Sequence, residues 1–354
     1  MSQTATQSKL PFWMYRLSTV MKSFKYLYSL PPEKLKAFLD SYEVFDYDWS
    51  DEPKLIRELG ADYCNEVKKK TVDYYSVLNH LCSIGQVEKM YIPPAMDLSK
   101  SIIQNQILFE RKMASDLGLT QGSRVLDLGS GRGRVANHMA TATGADVTGL
   151  NIDTDQIETA RRFAEAKKLS HRCRFVQGNM NVFPFPFEDN SLDAVYEIQV
   201  LSYCRNLEET FRELHRVLKV GGRVGCLDWA VLDRYDAKNP EHTNMMKDVK
   251  AVIGAVGNPT IAQYTEAFRR AGFKVVINEN ASIDGLQAPL IEQADKFYVG
   301  LGKFIHFLVS CKILPKHFDT LFERLSRGGP QFVEADRRRL VTTSHYIVAE
   351  KLGA

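Results

Sequence analysis

The run Val125-Leu126-Asp127-Leu128-Gly129-Ser130-Gly131-Arg132-Gly133-Arg134 carries an apolar stretch into an acid and then into three alternating glycines. A helical pattern begins at Val135. A buried strand that breaks into glycines lets a ligand approach the backbone closely, and the following helix turns its free N–H groups toward that ligand. A dinucleotide or a sulfonium donor can occupy such a loop. The residues that follow each later strand separate the two.

S-adenosylmethionine (SAM) has an amino-acid tail, a ribose and an adenine, and each needs a different partner. Gly129, Gly131 and Gly133 open the backbone to the tail and ribose, and Asp127 suits the tail ammonium. Gly149-Leu150-Asn151 offers Asn151 to the ribose hydroxyls, with Asp153 and Gln156 next in the chain. Gly178-Asn179-Met180 supplies an amide for the adenine edge and an apolar wall for its face. The stretch Tyr196 to Gln199 then arrives beside the sulfonium. Each feature has a plainer reading, as a simple turn or, for Asn151, a helix cap; the set is harder to dismiss than its members. No G-x-x-x-x-G-K-[ST] loop is present, which argues against a nucleotide triphosphatase. Hydride-transfer enzymes place an acid about 20 residues past the glycine loop, and here Asn151 holds that position.

These residues must be positioned by alternating strands and helices. Strands are expected at 124–128, 146–150, 174–177, 192–198 and 223–229, with helices at 135–142, 154–168 and 207–218 between them. Lys219-Val220-Gly221-Gly222 reads as a tight turn. This rhythm implies an α/β doubly wound parallel sheet, whose loops after the strands share one edge. Late strands at 273–279 and 345–350 suit an antiparallel pair at the end of the sheet. Helices are expected at 10–40, at 67–81, from a cap at Ser99 to Leu117, and within 240–271 and 288–325, while 41–60 reads as irregular. The expected division is 1–98 as a helical extension or lid, 99–282 as the SAM-binding unit and 283–354 as a C-terminal cap with the final strand.

Composition sets outer limits. The 354 residues are 44% apolar and 25% charged, with a net charge of +3, and no interleaved basic and aromatic patch suggests nucleic acid. Arg337-Arg338-Arg339 reads as a solvated face. The six cysteines are scattered without a C-x-x-C pair, so neither zinc nor a disulfide framework is expected, and a reducing intracellular setting fits best. Residues 1–9 are polar, show no secretory pattern and are expected to lack structure. Residues 12–28 mix aromatics with Lys and Arg, which suits an interfacial helix touching a lipid surface, at the endoplasmic reticulum for example, as well as it suits packing on the domain. Phe297 to Leu314 is expected to pack on the domain. Self-association is left open.

The order Leu126-Asp127-Leu128-Gly129-Ser130-Gly131, Gly149-Leu150-Asn151, Pro184 to Tyr196 and Arg216-Val217-Leu218-Lys219-Val220-Gly221-Gly222 resembles the class I SAM-dependent methyltransferases. More narrowly it resembles the sterol 24-C-methyltransferases, through Trp229 and Asp233-Arg234-Tyr235-Asp236-Ala237-Lys238-Asn239-Pro240-Glu241-His242. The resemblance covers about residues 70–352 and implies the class I Rossmann-like fold, SAM as cofactor and methyl transfer to a hydrophobic sterol or isoprenoid-like substrate. The chain departs from that family in two places. The family's Y-E-x-G-W-G stretch is replaced by Leu81 to Tyr91, and its I-E-A-T-C-H-A-P stretch maps onto Ile198 to Arg205, so that Gln199 stands for the acid and Tyr203 for the histidine. Relatives that act on the sterol ring system suit this loss. Tyr203, Glu197 and His242 are the candidate proton-handling groups, Gln199 a cofactor contact, and Tyr203, Trp229 and Tyr235 the candidate pocket walls. The rival readings are an N-, O- or C-methyltransferase of a lipophilic secondary metabolite, and a SAM-binding cyclase or lipid-binding module without methyl transfer.

Overall fold

Seven strands form one sheet: β1 (Arg124–Leu128), β2 (Asp146–Asn151), β3 (Cys173–Gln177), β4 (Leu192–Ile198), β5 (Leu218–Val231), β6 (Phe273–Asn280) and β7 (Val341–Lys351). The computed structural model describes residues 12–85 and 87–353, so the polar segment 1–9 lies outside the described residues. The strand order is β3-β2-β1-β4-β5-β7-β6. The first five strands pair in parallel, and β7 runs antiparallel to both β5 and β6. The order reverses between β1 and β4, where Leu128 sits between Leu150 and Glu197. A crevice opens outside the carboxyl ends of strands at such a reversal.

Helices cover both faces. Before the sheet come α1 (Phe12–Tyr28), α2 (Pro32–Asp40), α3 (Glu52–Leu59), α4 (Tyr63–Ile84) and α5 (Ile102–Asp116). Within it lie α6 (Arg134–Thr143), α7 (Thr154–Ala166), α8 (Leu207–Val217), α9 (Pro240–Ile253) and α10 (Ile261–Arg270). Between β6 and β7 come α11 (Ala288–Ser310), α12 (His317–Ser326) and α13 (Gly329–Arg337). One sheet face packs on α8 and α10 through Phe211, Leu214 and Phe268, and the other on α5, α6 and α7 through Phe109, Met139 and Ile157. A separate core beneath α1, α2, α4 and α12 is built from Leu27, Phe38, Tyr74 and Phe318. This core lets the N-terminal helices roof the crevice.

Local chemistry explains the boundaries. Asp153 accepts from the N–H groups of Asp155 and Gln156 and starts α7. The cap of α5 is Ser101 in a reciprocal pair with Gln104, two residues later than expected; Ser99 bonds Asp97 instead. The acidic stretch expected to be irregular contains α3, started by Asp51, whose carboxylate accepts from Lys54 N. The expected turn at 219–222 is absorbed into β5, with Gly221 at positive φ and a register shift against β4. Helix α11 packs Leu301, Ile305 and Leu308 inward as expected, but leaves Phe297, Phe304 and Phe307 exposed.

Candidate functional site

The crevice is floored by the glycine loop. Gly129 has φ +76°, and a Cβ there would lie 2.4 Å from the Val200 side chain, so the loop after β1 and the loop after β4 fit only without one. Gly131 also has positive φ, but a Cβ there would meet only Gln156 Oε1, at 3.6 Å, and would otherwise project into the cleft. A polar chain runs from this loop to the roof. Gly131 N donates to Asn151 Oδ1 (3.4 Å), Asn151 Nδ2 to Gln156 Oε1 (2.8 Å), and Gln156 Nε2 to Asn79 Oδ1 on α4 (3.1 Å).

The cleft is lined by Gly129, Gly131, Asn151, Asp153, Gln156, Asn179, Met180 and Gln199 from the sheet edge. Its roof comes from Trp49, Thr71, Tyr75, Met90 and Tyr203. Sequence reasoning missed Trp49, Lys68, Thr71, Tyr75 and Met90, which no motif marks. The only signal was their place among aromatics in an extension already expected to act as a lid. Trp49 Nε1 donates to Ser202 O (2.8 Å), which ties the roof to the loop after β4.

The donor set fits SAM. Asp153 lines this cleft, and its Oδ2 is buried with no partner among the described residues, which leaves an acceptor suited to a ribose hydroxyl. Gly131 supplies an open backbone cradle, and Leu150, Ile152 and Met180 supply apolar walls for an adenine. Asp127 lies behind the loop, on β1, and does not line the cleft. Burial pushes its carboxyl up to about 7, although the Tyr196 hydroxyl, which donates to it at 2.9 Å, works in the opposite direction. It is positioned to meet the tail ammonium only through an intervening group.

Gln199 is fully engaged. Its Nε2 donates to Ile92 O (2.8 Å) and Thr343 O (3.0 Å), and its Oε1 accepts from Ile92 N (3.1 Å). It sits at φ +55° and staples the loop after β4 to the segment before α5 and to β7. Its side-chain polar atoms are therefore spent on structure.

The candidate proton acceptors do not fill that role in this geometry. The Tyr203 hydroxyl donates to Gly254 O (2.6 Å), and burial beside Tyr75 and Tyr74 holds the phenol well above its ordinary range. Tyr203 is therefore a wall of the cleft and a poor base. Glu197 is buried beneath the loop, where it accepts from Val200 N (3.1 Å), and Asp228 on β5 accepts from Leu201 N (2.7 Å). Burial and the neighbouring acid raise Glu197 well above the carboxylate range, and burial raises Asp228 to about 7. Asp228 has a second backbone donor, Trp229 N (2.7 Å), whereas Glu197 Oε1 is buried without a partner among the described residues, so burial beside a second acid favours the protonated form of Glu197. His242 lies away from the cleft; it accepts from Asp236 N (3.1 Å) and contacts Arg338 (3.0 Å). Trp229 is packed with Met246 and Phe332, and Tyr235 stacks near His242, so neither lines the cleft. The W-to-H run holds α9 and α13 to the sheet instead. Arg337 and Arg338 pair with Glu292 and Glu241 on the surface.

Comparison with known proteins agrees with this geometry. The family described as methyltransferase domain matches residues 126–226. Sterol 24-C-methyltransferase erg6 of Aspergillus fumigatus is 36% identical over 201 residues, which span 57% of this chain and 50% of that one. Sterol 24-C-methyltransferase ERG6B of Gibberella zeae is 32% identical over 338 residues, covering 89% of this chain and 87% of that one. Among solved structures, the [4+2]-cyclase SpnF superposes with a TM-score of 0.63 at 20% identity, over 81% of this chain and 97% of that one. That last likeness is one of fold. A glycine-floored cleft at the sheet's switch point, with donors suited to SAM and a relative of this kind matched over most of both chains, places the chain in the sterol 24-C-methyltransferase family, as a SAM-dependent methyltransferase of class I fold.

Proposed function

We propose that the protein transfers a methyl group to carbon of a hydrophobic sterol or isoprenoid-like acceptor. The observation that carries this is the pairing of a polar, glycine-floored end of the cleft with a roof of Trp49, Tyr75, Met90 and Tyr203. The sulfonium supplies an electrophilic methyl, so the chain needs to align an apolar acceptor in line with it and keep water out. Gly131, Asn151 and Asp153 hold the polar donor, and Asn179 and Met180 hold its base. Tyr203 and Val200 shape the passage between the two ends.

The cleft, which is partly open to solvent, has a cavity volume of about 140 Å³, below the ~300–1,000 Å³ of sites that hold drug-sized ligands. The roof must therefore rise to admit a ring system, and the ties to lengthen are Trp49–Ser202 and Gln156–Asn79. Gln199 also bears on the acceptor. Where the related enzymes present an acid, this chain presents an amide already bound to backbone, which favours an acceptor position other than a sterol side-chain alkene. An acceptor of this class partitions into lipid, and α1, residues 12–28, is the element that would meet a lipid surface.

Incubation of purified protein with methyl-labelled SAM and a lipid extract tests the reading. A labelled apolar product whose added mass lies on carbon by mass spectrometry is expected. Label found only in a polar amine, or calorimetry showing no affinity for SAM or S-adenosylhomocysteine, would refute it.

A further inference from the structure

Two helices on one corner of the molecule carry exposed apolar stripes. On α1, Trp13, Leu17 and Met21 are 65%, 56% and 60% exposed, and Phe24 and Tyr28 continue the row. At 3.6 residues per turn these five side chains fall within an arc of about 80°. On α11, Phe297, Phe304 and Phe307 are 59%, 56% and 60% exposed, and they also share an arc of about 80°. Single exposed apolar residues are common, but aligned large ones are not.

Both helices lay their inner faces on the same core: Leu27 from α1, and Ile305 with Leu301 and Leu308 from α11. The end of α1 meets the start of α12, and α12 packs on α11. His317 Nε2 lies 2.7 Å from Leu27 O, and the Phe24 and Phe318 rings are 6.1 Å apart. Helix α12 thus links the two helices, and Ile313 in the turn between α11 and α12 is exposed as well.

The charge along the stripes is mostly basic; the acids of α11, Glu292 and Asp295, lie near its N-terminal end, and Glu292 is paired with Arg337. Helix α1 carries Arg16, Lys22 and Lys25 and no Asp or Glu. The stretch 296–316 carries Lys296, Lys303, Lys312 and Lys316 and no Asp or Glu. All four of these lysines, and Lys22 and Lys25, are exposed. Arg16 is paired with Glu88, and Asp319, the next acid along the chain, is paired with His306. Aromatic and aliphatic side chains flanked by lysines that have no ion-pair partner among the described residues match the boundary of an anionic bilayer, where rings enter the headgroup layer and ammonium groups meet lipid phosphates and carboxylates. No described helix is long and apolar enough to cross a membrane, so contact through these faces would be peripheral.

We propose that α1 and α11 together form one docking face for an anionic lipid surface, with each helix contributing an apolar stripe and a lysine border. This deepens the assignment of α1 to lipid contact and adds a second, sequence-distant helix to it.

The test is co-sedimentation of the full chain with sucrose-loaded vesicles of phosphatidylcholine alone and with about a third phosphatidylserine, read together with tryptophan emission. The wild type should bind the anionic vesicles and blue-shift through Trp13. Leu17→Ser/Met21→Ser and Phe304→Ser/Phe307→Ser should each lower the partition coefficient roughly tenfold or more. Lys303→Glu/Lys312→Glu should weaken binding to anionic vesicles and leave the weak binding to neutral ones unchanged. Circular dichroism and SAM binding of every variant should match the wild type. Absence of vesicle binding, or binding that survives the α11 pair while the α1 pair abolishes it, would overturn the two-helix face. So would sedimentation velocity showing a wild-type dimer that these variants dissociate, since the stripes would then be an interface between copies. Methyl transfer to detergent-dispersed lipid needs no vesicle, so its failure and the failure of docking are read separately.

Discussion

Gln199→Glu restores at one position the acid that related enzymes carry, and the structure says that this chain should reject it. The amide gives two hydrogen bonds, to Ile92 O and Thr343 O, and receives one from Ile92 N. A carboxylate of the same shape keeps only the last. Two bonds at about 1 kcal/mol each are lost, and two carbonyls then face a like partner. Because Gln199 is half-buried, water relieves part of that, and the net cost works out at about 2–4 kcal/mol at pH 8. The folded chain can lower the cost by binding a proton, since a carboxylic acid can donate to one of the carbonyls. The new group therefore has a higher pKa folded than unfolded. The folded state then binds more protons, and stability falls as pH rises above the ordinary glutamate range. Urea unfolding at pH 5 and pH 8 reads this directly. The expected result is a lowered midpoint for Gln199→Glu at pH 8, with much of the loss recovered at pH 5, whereas Gln199→Ala should show a loss nearly independent of pH. A Gln199→Glu midpoint equal to wild type at pH 8 would show that the amide staple contributes nothing, and the reasoning would fail.

Other predictions follow from the same geometry. Gly131→Ala should cost little beyond the positive-φ strain of about 1–2 kcal/mol yet weaken SAM binding by calorimetry, whereas Gly129→Ala should destabilise the fold itself, because its Cβ would lie 2.4 Å from Val200. Asp228 and Glu197 hold protons more tightly folded than unfolded, so their contribution is full below the ordinary carboxylate range and is lost as pH rises, for Asp228 through about 7. Glu197→Gln removes one of these titrations, and the slope of urea stability between pH 5 and 8 should flatten; an unchanged slope would contradict the raised pKa of Glu197. Tyr203→Phe loses the bond to Gly254 O, at about 1 kcal/mol, and should change kcat only a few-fold. A hundredfold fall in kcat with the fold intact would return Tyr203 to a proton-handling role.

The sheet was legible because its strands are short apolar runs with glycine or acid at their ends. Arg124–Leu128 and Leu192–Ile198 occur where the run of Val, Leu and Ile requires them. That Gly131, Asn151, Gln156, Asn179 and Met180 come to one cleft was legible because the loops after parallel strands share one edge. The roof was not, because Trp49, Thr71 and Met90 reach the cleft through helix packing on a separate core, which leaves no fixed spacing to read. The role of Gln199 was also hidden: its partners lie 107 and 144 residues away, beyond any local pattern. His242 and Trp229 belong to a recognisable run, but that run marks a packing seam between α9, α13 and β7.

The place of β7 has a consequence for biosynthesis. Residues 341–351 fill the slot between β5 and β6, although both neighbours leave the ribosome well before them. Until β7 emerges, the far side of β5 is a bare row of amide and carbonyl groups inside a nascent chain that already holds its first five strands. Such an edge invites pairing with a second nascent copy. Translation speed across 281–340, and any holdase that shields the open edge meanwhile, should therefore govern the yield of folded enzyme more strongly than the strength of the finished sheet does.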